Sequence, residues 1–146
     1  MVQLLTILST DSSAGTPLTA TDTVTINVTA VNDKPVVDLN GAIAGTDYSA
    51  TFTDGDPAVS ISEASVSVTD VDDTTLDHID ITFGGLQDGA NEQLTIGSAT
   101  FPLNANFSGT TTVNGVVYDI SFNSGSGQIT IDRNDSTEMT LAEAQN

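Results

Sequence analysis

The chain has 146 residues and sets twenty Asp and Glu against two basic residues, Lys34 and Arg133, for a net charge of −18. That field repels phosphate and anionic lipid, which argues against nucleic-acid and membrane-surface binding. No apolar run is long enough to insert in a bilayer. With no cysteine and one histidine, disulfides, thiolate zinc, thiol nucleophiles and multi-histidine metal centres are also excluded, so enzyme chemistry is poorly supplied. Residues Met1-Val2-Gln3-Leu4-Leu5 lack a basic start and a cleavage site, so no signal peptide is expected there.

The acidity is not that of a disordered chain, because 38% of residues are hydrophobic and mean hydropathy is +0.02. Thr and Ser supply a quarter of the sequence while Lys and Arg are almost missing. Thr and Val favour half-buried strands, and Ser, Asn, Asp and Gly favour turns. An all-β fold of extracellular style follows.

The elements come in chain order from period-two alternation. The clearest strand spans 23–31, where Val24, Ile26 and Val28 alternate with Thr23, Thr25, Asn27 and Thr29. Residues 35–39 read as a strand opening just after Pro35, a tolerated position. Shorter strands are expected over 48–53, 64–69, 76–83, 93–96, 116–122 and 128–132. Turn signals separate them, including Asn40-Gly41, Asp54-Gly55-Asp56-Pro57, Gly84-Gly85 and Gly125-Ser126-Gly127. Asn114-Gly115 between Thr111-Thr112-Val113 and Val116-Val117-Tyr118 is a type I′ hairpin pattern. Only residues 136–145, rich in helix formers behind a capping Ser136, predict a short C-terminal helix. Many short strands at this spacing predict a β-sandwich. Phe52, Phe83 and Phe122, on alternating strands, are expected in its core.

The organisation divides near Asn32-Asp33-Lys34-Pro35. Residues 1–31 read as a separate strand-rich piece, 32–35 as a linker and 36–146 as the main body. Carboxylates gather in three places: Asn32-Asp33 at the linker, Asp54-Gly55-Asp56 in a turn, and Asp70-Val71-Asp72-Asp73 after the 64–69 strand. Calcium takes six to eight hard oxygen ligands, and aspartates one residue apart at a strand end can wrap one ion while it cancels their repulsion. The same aspartates equally suit solvated Asx turns. His78, alternating with Asp77 and Ile79, reads as a surface strand residue rather than a ligand, because no second imidazole exists.

The stretch Asp22-Thr23-Val24-Thr25-Ile26-Asn27-Val28-Thr29-Ala30-Val31-Asn32-Asp33-Lys34-Pro35-Val36 resembles the junction of bacterial cadherin-like and VCBS-type repeats of large RTX-type surface adhesins. Tyr48 to Asp54, Val66 to Asp73, Ile79-Asp80-Ile81-Thr82, Leu86-Gln87-Asp88-Gly89 and Met139 to Gln145 continue the likeness, which covers most of residues 22–146. The resemblance implies a cadherin-like (Ig-like) β-sandwich with one short C-terminal helix that binds Ca2+ at junctions between repeats. It matches Asn32 and Asp33 to the linker ligands, Asp70 and Asp72 to the Asp-x-Asp motif, and Asp54 to a position where cadherins carry a longer glutamate. Asp73 is a neighbouring candidate. Such repeats carry further strands after the Met139–Gln145 segment, so the body is expected to be truncated there, with 1–31 completing a preceding repeat or serving as a donor strand. The function expected is a secreted, cell-surface structural repeat that stiffens a multi-domain adhesin, and not an enzyme. Its expected partners are neighbouring repeats, or neighbouring copies by strand pairing, with a glycan or surface ligand for the parent protein. Alternatives are a filament subunit assembled by strand exchange, a carbohydrate-binding module, and a module cleaved at Asp56-Pro57.

Overall fold

The computed structural model describes residues 2–12, 14–53 and 55–146. Strands take 42% of the chain and helix almost none, so the protein is all-β. The chain forms two units, residues 1–33 and 34–146.

The first unit is one antiparallel hairpin. Strand β1 (Val2–Thr10) pairs with β2 (Thr19–Asn27), with Leu5 opposite Val24 and Thr6 opposite Thr23. The Leu18 carbonyl accepts from the Asp11 amide at 3.0 Å, and the Asp11 carboxylate accepts from the Leu18 amide at 3.1 Å, which closes the loop. The strand expected over 23–31 thus sits four residues earlier, since its register is set by β1. Alternation did not reveal β1, because Leu4-Leu5 and Ile7-Leu8 place apolar residues on both faces.

In the second unit a four-stranded antiparallel sheet carries the core. Its order is β6 (Ile79–Thr82), β11 (Gln128–Arg133), β10 (Val116–Asn123) and β9 (Phe107–Val113). The turn joining β9 to β10 is the expected Asn114-Gly115 pair, with φ of 49° and 85° as a type I′ turn requires. Alternation puts Tyr118, Ile120 and Phe122 of β10 on the inner face beside Ile129. Leu94 of β7 (Gln93–Ile96), Phe101 of β8 (Ala99–Pro102), Leu103 and Met139 complete that buried cluster. Phe107 stacks on Phe101 with ring centres 5.1 Å apart. Burial of each such side chain contributes about 1.5–3 kcal/mol, and Ile129 is wholly buried. Gly127 ends the turn into β11 with φ +69°, and a Cβ there would lie 2.5 Å from the Phe83 carbonyl oxygen. No other residue fits that position without strain.

Three smaller pairings frame this sheet. Strand β3 (Val36–Asp38) pairs with β4 (Ser67–Thr69), β5 (Thr75–Leu76) with β12 (Met139–Thr140), and β7 with β8. Several expectations need correction. Residues 48–53 form no strand, and Phe52 is 57% exposed rather than core. The strand expected over 76–83 breaks at Asp77 and His78, where Leu76 is drawn to Met139 while Ile79 joins β11. The C-terminal helix is absent. Met139 is buried as a strand residue, and only one 3₁₀ turn, Glu143–Gln145, follows. Side-chain bonding explains this: the Glu143 carboxylate accepts from the Thr140 amide at 2.8 Å and from Arg133 at 3.0 Å, fixing the segment in a turn.

Candidate functional site

Strand β4 ends at Thr69, and the next four residues form a tight acidic turn. The Asp70 carboxylate accepts from the amides of Asp72 at 3.1 Å and Asp73 at 3.3 Å. This is an Asx turn, in which the side chain replaces a backbone acceptor. The Asp72 amide, foremost, holds the Asp70 carboxyl below its ordinary value. Asp70 is half-buried, while Asp72 and Asp73 are exposed. Three carboxylates therefore lie within four residues, the first of them oriented by the chain itself.

The other expected ligands stand apart from this turn in the sequence. Asn32 and Asp33 end the first unit, with the Asn32 side-chain amide donating to the Asp33 carbonyl at 3.2 Å. Asp54 lies outside the described residues. Among the described residues, no three His, Asp or Glu side chains are gathered as they would be around a metal ion. The donor chemistry suits calcium, a hard cation that prefers carboxylate, amide and carbonyl oxygen. The turn ties the backbone amides of Asp72 and Asp73 to the Asp70 carboxylate, but the three side chains do not converge on one point.

A second acidic surface was not foreseen. The outer face of the four-stranded sheet holds a shallow cavity of about 430 Å³ lined by Ser108, Thr110, Asp119, Ser121, Thr130 and Asp132. Asp119 and Asp132 stand directly opposite each other on β10 and β11. Like charges so placed disfavour the pairing. The Asn134 side chain donates to Asp119 at 2.8 Å. Their opposition depends on the register of β10 against β11, which no local sequence signal carries.

His78 lies at the break between β5 and β6. Its Nδ1 is 2.9 Å from Asp77 and its Nε2 3.4 Å from Asp80. The Asp77 hydrogen bond is the largest cause that raises the imidazole above its usual value. Asp80 also accepts from the Thr130 hydroxyl at 2.6 Å. Arg133 is consumed similarly: it bonds Asp135 at 2.9 Å and Glu143 at 3.0 Å. Among the described residues, no helix is long and apolar enough to cross a membrane.

Comparison with known protein families, curated proteins and solved structures finds no match to this chain.

Proposed function

We propose that the protein is a calcium-binding structural repeat of a secreted bacterial surface adhesin, with no catalytic role. The observation that carries this reading is the Asp70–Asp73 turn, where the backbone amides of Asp72 and Asp73 orient the Asp70 carboxylate and the sequence supplies two further carboxylates within the next three residues. Asp70, Asp72 and Asp73 supply part of the ligand set. Asn32, Asp33 and Asp54 enter on the sequence pattern alone. When bound, Ca2+ supplies no chemistry beyond charge: it offsets the mutual repulsion of these side chains and removes freedom from the segments that share it. A chain of −18 gains from that neutralisation more than a balanced one would.

The second unit is read as a cadherin-like sandwich. In support, its four-stranded sheet has one polar outer face and one apolar inner face, and the β7–β8 hairpin and Met139 join the buried cluster of that inner face. A stiffened array of such repeats would hold an adhesive end away from the cell.

Calorimetric titration with calcium tests the reading. Binding is expected with a Kd of about 10⁻⁴–10⁻³ M, as in extracellular modules. The double substitution Asp70→Asn, Asp72→Asn should weaken it at least tenfold while strand content by circular dichroism stays unchanged. Titration heats no different from buffer in the unsubstituted chain would overturn the proposal.

A further inference from the structure

The hairpin of the first unit leaves its apolar side chains in water. Leu4, Leu5, Ile7 and Leu8 of β1 are each more than half exposed. A lone two-stranded hairpin is at best marginally stable, and three or more strands with an apolar face are the usual minimum. Strand β1 also carries none of the usual protections of an edge. Over its nine residues it has no charge, no proline and no glycine, and within its unit it pairs on one side only.

Charge selects the partner. Residues 1–33 hold three of the twenty acidic residues, Asp11, Asp22 and Asp33, which leaves −15 of the total −18 on the second unit. Two copies repel each other through their second units and can approach at least cost through their hairpins. On the hairpin face that carries Leu4, Thr6 and Leu8, the opposed residues are Thr25, Thr23 and Thr21, so the central part of that face is uncharged.

Strand β1 is also its own complement. An antiparallel pair of β1 strands centred on Thr6 sets Leu4 opposite the partner's Leu8, Leu5 opposite the partner's Ile7, and Thr6 opposite the partner's Thr6. In that register all four large apolar residues meet apolar residues. A slip of one position leaves Leu4 against the partner's Ser9 and Thr6 against the partner's Ile7, and sacrifices half the matches. Twofold pairing of one patch with itself closes a dimer and does not propagate.

We infer that the protein forms a twofold homodimer through the free edge of β1, giving a continuous sheet in the order β2, β1, partner β1, partner β2. This inference is independent of the calcium reading and predicts association in its absence.

Sedimentation velocity of the full chain in EDTA, over a range of concentrations, gives the test. A reversible dimer is expected. Thr6→Lys alone and Thr6→Asp alone each place like charges across the axis and should weaken the dimer about tenfold or more. An equimolar mixture of the two variants sets Lys against Asp and should restore the dimer, which excludes a folding defect as the cause. A monomer at all concentrations, an open-ended series of oligomers, or a dimer indifferent to both substitutions would each overturn the inference.

Discussion

His78 is the only imidazole in the chain, so its titration can be followed without ambiguity. Asp77 and, more distantly, Asp80 hold its protonated form, so its folded value lies above its unfolded one. The stability it contributes is therefore complete below the unfolded value and is lost as pH rises through the folded one. Replacing Asp77 by Asn should return the imidazole toward its ordinary value, as read by proton NMR of the ring; an unchanged titration would contradict the assigned contact. Asp70 works with the opposite sign. Its carboxyl is lowered by the Asp72 amide, so its contribution is present above the unfolded value and fades as pH falls through the folded one. Aspartates at these positions could be listed from the sequence, but not which of them the backbone orients. That distinction follows from where β4 stops and the amides of Asp72 and Asp73 close onto Asp70.

At the level of elements, stability rests on the inner face of β10 and β11. Ile129→Ala removes a fully buried side chain at the centre of the sheet and should cost about 2–5 kcal/mol in urea denaturation. Val71→Ala, at a residue 88% exposed in the acidic turn, should change stability by no more than about 0.5 kcal/mol. Equal costs at the two positions would contradict the core described here. Alternation located β7, β10 and β11 to within one residue, because each has one face in the core and one in water. The Asn114-Gly115 turn was equally legible, since positive φ at both positions is a local requirement. Strand β1 was hidden by apolar residues on both faces, and residues 48–53 alternate without finding a strand partner. The C-terminal segment has helical composition, yet the burial of Met139 and the bonds from Arg133 and Thr140 to Glu143 override that propensity. Local signals cannot register long-range partners of this kind.

For the whole molecule the governing quantity is charge. Twenty carboxylates with two basic partners leave the folded chain under self-repulsion, and Arg133 is already bound to Asp135 and Glu143. On the proposed reading, a divalent cation held at the Asp70–Asp73 turn would offset part of that repulsion, and the folded state would bind it more tightly than the unfolded chain. The most direct measurement is the thermal unfolding of the protein in EDTA, in millimolar calcium and in equal magnesium. Calcium at about a hundredfold excess over Kd adds about 2.7 kcal/mol to the folded state, which raises Tm by roughly 10 °C for a domain of this size. A rise of that order is predicted with calcium, little with magnesium, and its loss in the Asp70→Asn, Asp72→Asn variant. Identical melts in EDTA and calcium would contradict it, and would leave the Asp70–Asp73 segment as an Asx turn that ends β4 and nothing more.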